Sequence, residues 1–268
     1  MAPFLTHLVV GERVWAALDG NQPAPDHFGT FLFGCLAPDV DKFCYGLEQG
    51  TTHFLAKDEG GTYVWQRSQR FLEGQDDFLR APFQALETAE QAFVIGYLCH
   101  IATDDHTARS AQSIRSQNSG SDVPLPHVDA ILTAMDPRFW AMTRDPDGLV
   151  EALERASIPD RAFVFTERDC LRAMYQVVVP QVVEGGGLVP FMHMVRRQWQ
   201  WTRNGQVSDA ADDPQLEADL AVLCRRIEAD LPTSERLVED LDLEFFVQEA
   251  NRHSLERIHA LLAGRRVP

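Results

Sequence analysis

The sequence has little basic charge and no long apolar run. Lysine and arginine number 24 against 40 aspartates and glutamates, so the formal net charge is −16. This excess of negative charge would oppose sequence-independent binding to nucleic acid phosphates or to an anionic membrane. No nucleic acid partner is therefore expected. No segment reaches the roughly 18 apolar residues of a membrane span, so no transmembrane segment is expected either.

Cysteines are also few. The five cysteines are odd in number, widely spaced and contain no C-x-x-C pair. This pattern is typical of buried free thiols in a reducing compartment. The first residues lack the basic stretch and the export-length apolar run of a secretion signal. We therefore expect a cytoplasmic protein.

What the chain does have is enough apolar residues to bury a core. It contains 268 residues, 45% of them hydrophobic, so a single domain over residues 1–268 is expected, with no disulfide or structural zinc needed for folding. Apolar residues recur mainly at three- and four-residue spacing, which predicts an all-α, multi-helix bundle. The predicted helices are 6–18, 26–36, 62–79, 84–108, 127–135, 147–156, 167–184, 188–203, 215–230 and 233–263.

The strongest local signal for chemistry is the pair His100 and Asp104 in the apolar helix 84–108. A spacing of four places the imidazole and the carboxylate on one helix face, one turn apart, where both can reach the same cation. An isolated pair of this kind is more often a histidine hydrogen-bonded to a helical neighbour. Here Asp105 and His106 follow directly, and such a crowd of polar groups is expensive to bury unless something positive compensates it. The run therefore favours a metal site.

Further short motifs accompany this pair along the first half of the chain. They are Thr6-His7 at the start of a helix, Gly34, Ala37-Pro38-Asp39, His53 in the loop that follows, and Gly96 to Asp104. Their order and separations resemble the zinc-dependent phospholipase C family, which belongs to the helical superfamily that also contains the P1-type nucleases. The resemblance covers roughly residues 4–135 and implies the all-α fold of that superfamily.

The resemblance also implies a ligand set. Asp39, His53, His100 and Asp104 would ligate one zinc ion, and His7 would join a neighbouring ion that Asp104 bridges. Imidazole and carboxylate are ligands that Zn²⁺ accepts, with manganese or iron as alternatives.

A third metal site would need further ligands. Family members complete it with a later histidine and with another histidine followed four residues on by a glutamate. His106 and His127 are the candidates here, although Ile131 stands where the glutamate would be. The expected cofactor is therefore one to three zinc-like ions.

The implied activity is that of a metal-dependent hydrolase acting on a phosphoester, either a phospholipid or a smaller phosphodiester. The metals would polarise the phosphoryl oxygens, and Asp39, the candidate catalytic residue, would orient or deprotonate the attacking water. Residues that bind the substrate are not identified by the sequence. The alternative is a non-catalytic metal-binding or scaffold protein that keeps the fold with a reduced ligand set. A phosphohydrolase of the unrelated H…HD…D type expects a His-Asp dipeptide, which this sequence does not contain.

Overall fold

Helices form nearly all of the regular structure, as the apolar spacing predicts. The computed structural model describes residues 4–18, 20, 23, 25–44, 46–57, 63–64, 66–117, 128–159, 162–183, 214–239 and 241–264. The α-helices in these ranges are α1 (Phe4–Ala17), α2 (Phe28–Gly34), α3 (Gln49–Thr52), α4 (Arg67–Glu73), α5 (Gln75–Phe78), α6 (Thr88–Gln117), α7 (Val128–Trp140), α8 (Pro146–Glu154), α9 (Arg168–Val183), α10 (Pro214–Glu239) and α11 (Leu243–Leu262). The predicted all-α class is confirmed.

Short elements join these helices. The 3-10 helices of the described ranges are Pro25–His27, Ala37–Phe43 and Phe83–Ala85. Two strands of two residues each, β1 (Ala56–Lys57) and β2 (Tyr63–Val64), pair antiparallel with Ala56 opposite Val64. In the part of the chain that is described, no helix is both long and apolar enough to cross a membrane.

Helix α6 is the central element, packed against α1, α2, α4 and α11. Its approach to α2 is unusually close because two glycines face each other. A Cβ atom on Gly96 would lie 2.0 Å from the carbonyl oxygen of Phe31, and one on Gly34 would lie 2.3 Å from that of Phe93. Contacts this short are not tolerated, so only glycine fits at either position. The close packing brings the residue after α2, Cys35, against His100 on α6.

An aromatic cluster supports the segment around residue 53. Phe54 has φ of 50°, in the left-handed region, a conformation that costs a non-glycine residue roughly 1–2 kcal/mol. Its ring packs 4.5 Å from Phe78 and 5.3 Å from Phe71, measured between ring centroids. Burial of this ring offsets the backbone strain. The chain therefore turns sharply directly after His53 and fixes where that histidine lies.

Several predicted boundaries differ from the observed ones. The single helix predicted over 62–79 is instead β2, α4 and α5, with Gly74 between the two helices. The predicted break near Pro232 is wrong because α10 continues through this residue to Glu239. The next helix begins at Leu243, where the Asp242 carboxylate accepts a hydrogen bond of 2.9 Å from the Phe245 amide and supplies the N-terminal cap. The predicted helix 188–203 lies outside the described residues.

The expectation of free thiols throughout the chain is wrong for one pair of cysteines. Cys44 and Cys170, 126 residues apart in the sequence, form a disulfide with Cα atoms 5.2 Å apart. It joins the end of the 3-10 helix Ala37–Phe43 to α9. Cys35, Cys99 and Cys224 are free. Because disulfides persist mainly in oxidising compartments, the cysteines no longer support a cytoplasmic location.

A carboxyl group from α7 caps the start of α1. Asp136 accepts a hydrogen bond of 3.1 Å from the backbone amide of Leu5. Burial raises the pKa of Asp136 from 3.8 to about 7, against the opposing effect of this hydrogen bond. Because the folded state then holds the proton more tightly than the unfolded state, the stability contributed by this group is greatest below pH 4. It falls as the pH rises towards 7.

Replacing Asp136 with asparagine should remove this pH dependence while keeping an acceptor for Leu5. The variant is expected to gain stability over the wild type progressively from pH 4 to pH 7 and to hold that gain above pH 7. The upper limit of this gain is about 4 kcal/mol. We expect a smaller gain because the side chain is only half-buried. Urea unfolding of both proteins at pH 4, 5.5, 7 and 8 measures it. A difference between the two proteins that stays the same at every pH would contradict the prediction.

Candidate metal centre

Five of the residues predicted as ligands converge in the interior. His7 comes from α1, Asp39 from the 3-10 helix, His53 from the residue after α3, and His100 and Asp104 from α6. Each is at most 1% exposed. Among the described residues they form two overlapping groups, one of His7, His100 and Asp104 and one of Asp39, His53 and His100. Within each group the candidate ligand atoms lie within 4.8 Å of one another.

Asp104 lies between the histidines. Its Oδ1 is 3.7 Å from Nε2 of His7, and its Oδ2 is 3.7 Å from Nε2 of His53 and 3.8 Å from Nε2 of His100. The Oδ1 atom of Asp39 is 3.5 Å from Nε2 of His53. Two ligands of a tetrahedral zinc ion lie about 3.4 Å apart when each is about 2.1 Å from the metal. The observed separations are therefore close to those of a ligand cage.

Hydrogen bonds orient two of the imidazoles. The Nδ1 atom of His100 is 2.7 Å from the carbonyl oxygen of Cys35, to which it donates. The Nδ1 atom of His53 is 2.9 Å from Oγ1 of Thr52, whose hydroxyl donates in turn to the Gln49 carbonyl. A proton on Nδ1 leaves Nε2 with its lone pair, so in both rings the ligating nitrogen is directed towards the carboxylates.

The Nε2 atoms of His7, His53 and His100 are buried and have no hydrogen-bond partner among the described residues. The ring of His7 stacks on that of His100, with centroids 3.6 Å apart and planes 5° from parallel. Leaving three such acceptors unsatisfied is expensive. A cation beside the two carboxylates would satisfy them, so the residues present fit a metal ion.

The protonation states agree with this fit. Burial lowers the pKa of His7 to about 4 and the pKa of His100 well below its usual range. Both rings are therefore neutral at pH 7, as metal ligands must be. Burial alone would raise the pKa of Asp39, but Lys42 and the neighbouring histidines outweigh it and the pKa is lowered. The pKa of Asp104 is also lowered because surrounding positive charge, including that of Arg67, outweighs its burial.

The site also contains two cationic side chains that the sequence analysis did not identify. The Lys42 ammonium group contacts the Asp39 carboxylate, and the Arg67 guanidinium contacts the Asp104 carboxylate. Lys42 follows Asp39 by three residues, the spacing that aligns side chains on a 3-10 helix, so this neighbour had a sequence signal. Arg67 lies 37 residues before Asp104 and had none.

Asp105 has a structural role beside the metal ligands. Its carboxylate accepts hydrogen bonds from the amide of Arg67 at 3.1 Å and from the amide and hydroxyl of Ser68 at 3.0 and 2.8 Å. It thereby caps the first turn of α4. The hydroxyl of Tyr97, also on α6, donates to the carbonyl oxygen of Thr52 at 2.5 Å and holds the segment that carries His53.

Of the remaining two candidate ligands, only His106 is among the described residues, and it is not brought to this cluster. His106 belongs to neither metal-binding group among the described residues, and its ring packs 4.7 Å from that of Phe246 on α11. Two residues along a helix turn a side chain about 200° away, which places His106 on the face opposite Asp104. His127 lies outside the described residues.

The described residues thus form a helical bundle whose buried histidines and aspartates could hold a metal ion through nitrogen and oxygen ligands. Residues 6–107, less than half of the chain, match the family described as zinc dependent phospholipase C. The resemblance to that family is confirmed over this segment, which contains all five clustered residues. No curated protein and no solved structure matched the chain.

Proposed function

We propose that the protein is a zinc-dependent hydrolase of a phosphoester, with His7, Asp39, His53, His100 and Asp104 as its metal ligands. The observation that carries the proposal is a set of three buried Nε2 atoms around two carboxylates, for which the described part of the chain offers no hydrogen-bond partner. The family match supports zinc as the ion and a phospholipid as the substrate class. When bound, zinc would polarise the phosphoryl oxygens and lower the pKa of a water molecule.

Asp39 has a second role in the proposal. Its lowered pKa keeps it ionised at neutral pH, so the carboxylate can accept a hydrogen bond from the attacking water and orient it. A general base works best with a pKa near the working pH. The lowered pKa therefore supports orientation of the water more than removal of its proton.

The proposal treats residues 1–268 as one domain. Helix α11, near the end of the chain, packs on α1 and α6, which carry three of the five proposed ligands. We do not include His106 among the ligands, because its ring contacts Phe246. We do not propose a cytoplasmic location, because of the Cys44–Cys170 disulfide. The net charge of −16 continues to disfavour a nucleic acid substrate.

One observation favours the non-catalytic alternative. Lys42 and Arg67 neutralise the carboxylates of Asp39 and Asp104. A scaffold protein with a reduced ligand set would need such cations to compensate its buried carboxylates. The zinc content and the hydrolytic activity of the wild-type protein distinguish the hydrolase from the non-catalytic alternative.

The test measures zinc content and hydrolysis on the same purified preparation. The substrates are bis-p-nitrophenyl phosphate, p-nitrophenyl phosphate and phosphatidylcholine in detergent micelles. We expect hydrolysis of at least one diester, loss of this activity on removal of metal by a chelator, and its return on addition of zinc. A zinc-loaded protein that hydrolyses none of the three substrates would contradict the proposal and support the scaffold alternative.

A further inference from the structure

We propose that Arg67, together with Lys42, binds the phosphoryl oxygens of the substrate at this site. The inference rests on the proposed function and deepens it, because it assigns the residues that recognise the anion. It begins from the two ion pairs. Each carboxylate of the cluster contacts one buried cationic side chain, Lys42 on Asp39 and Arg67 on Asp104.

The formal charges show what this arrangement favours. The two ligand carboxylates and the two cations that contact them balance when the imidazoles are neutral. Two further carboxyl groups, Asp41 and Asp105, lie beside this set, where Asp41 accepts from Thr52 and Asp105 accepts from Arg67 and Ser68. A divalent ion brings two more positive charges into the buried site, and buried charge is unfavourable unless an opposite charge compensates it. A phosphate or phosphoester anion beside the ion and the two cations supplies such a charge.

Position supports the same assignment. Arg67 is 5% exposed and Lys42 is 3% exposed, whereas the five proposed metal ligands are at most 1% exposed. The two cationic groups therefore lie slightly nearer the surface than the ligands that they contact.

Arg67 suits this task better than a mobile surface arginine. Asp105 accepts a hydrogen bond from its backbone amide, and Asp104 holds its guanidinium group. Both ends of the residue are thus held before any substrate arrives, which lowers the entropy lost on binding. A guanidinium has five donors in a planar fork, so it can contact a carboxylate and a phosphoryl oxygen at the same time.

If these cations and the metal act together, zinc and phosphate should bind cooperatively. The experiment measures binding of inorganic phosphate by isothermal titration calorimetry, with and without zinc, and zinc affinity with a competing chelator dye. Wild-type protein should bind phosphate at least about tenfold more tightly with zinc than without it, and Arg67→Gln should weaken phosphate binding to the zinc-loaded protein at least about tenfold. Zinc affinity should be unchanged or higher in Arg67→Gln, because a positive charge beside the ligands is removed.

Arg155→Gln is the matched control, since Arg155 is exposed directly after α8 and pairs with Glu151. It should bind zinc and phosphate like the wild type. Should Arg67→Gln fail to fold, Arg67→Lys keeps the charge next to Asp104 but loses the planar fork. It should keep zinc affinity and bind phosphate about threefold or more weakly.

The inference is overturned if the folded Arg67 variant binds phosphate as tightly as the wild type, or if the wild type binds it equally well without zinc. It is also overturned if the variant loses zinc affinity, because Arg67 then only holds Asp104 in place. A wild type that binds phosphate through Arg67 but hydrolyses no ester would keep this inference and remove the proposed hydrolysis. Hydrolysis by the wild type, together with phosphate binding that is unchanged in the Arg67 variant, would keep the proposed function and remove this inference.

Discussion

Asp39→Asn is expected to reduce hydrolysis of bis-p-nitrophenyl phosphate by the zinc-loaded protein at least about 100-fold. The amide has the size of the carboxylate but carries no charge. It is therefore a weaker partner for a metal beside His53, whose Nε2 lies 3.5 Å from the Asp39 carboxylate. It also orients an attacking water less strongly. The measurement is kcat/KM at saturating zinc, with zinc content determined on the same sample.

Two further variants separate catalysis from stability. Asp39→Asn leaves the buried Lys42 ammonium group without its carboxylate, which should lower the melting temperature. Adding Lys42→Met removes that buried positive charge and should restore much of the stability but none of the activity. Asp169→Asn, an exposed substitution in the first turn of α9, should behave as the wild type. Near-normal activity of a folded Asp39→Asn protein would exclude the role assigned to this carboxylate.

How far the sequence predicts this site depends on whether a contact is local. The spacing of His100 and Asp104 follows from helix geometry alone, so one face of α6 was predictable from the residues. His7, Asp39 and His53 lie on three other elements, and no local pattern links them to α6. Only the family resemblance placed them together. His106 is the converse case, because nearness in the sequence suggested a ligand, whereas its ring packs on Phe246.

Long-range contacts were beyond such reasoning. The Arg67–Asp104 ion pair joins residues 37 positions apart, and the Cys44–Cys170 disulfide joins residues 126 apart. Neither has a sequence spacing that indicates it. In the fold, helix class and most helix positions follow from apolar periodicity, whereas the break near residue 240 depends on a cap by Asp242 rather than on Pro232.

The combined substitution His100→Ala and Asp104→Ala is expected to abolish zinc binding. Both metal-binding groups contain His100, and Asp104 contacts or faces each of the three histidines. Removing both side chains leaves neither group with three ligands. Elemental analysis after dialysis should give at least one zinc per wild-type chain and none per variant chain.

Thermal unfolding tests the same site without an activity assay. A ligand that binds only the folded state stabilises it by about 2.7 kcal/mol when its free concentration is 100 times its Kd. Chelation should therefore lower the melting temperature of the wild type by several degrees, and added zinc should restore it. In the double variant, chelator and zinc should have no effect. His106→Ala serves as the matched control, since His106 is a histidine of the same helix that contacts Phe246 instead of the cluster. This control should keep its zinc and its response to chelator, whereas zinc retained by the double variant would disprove the site.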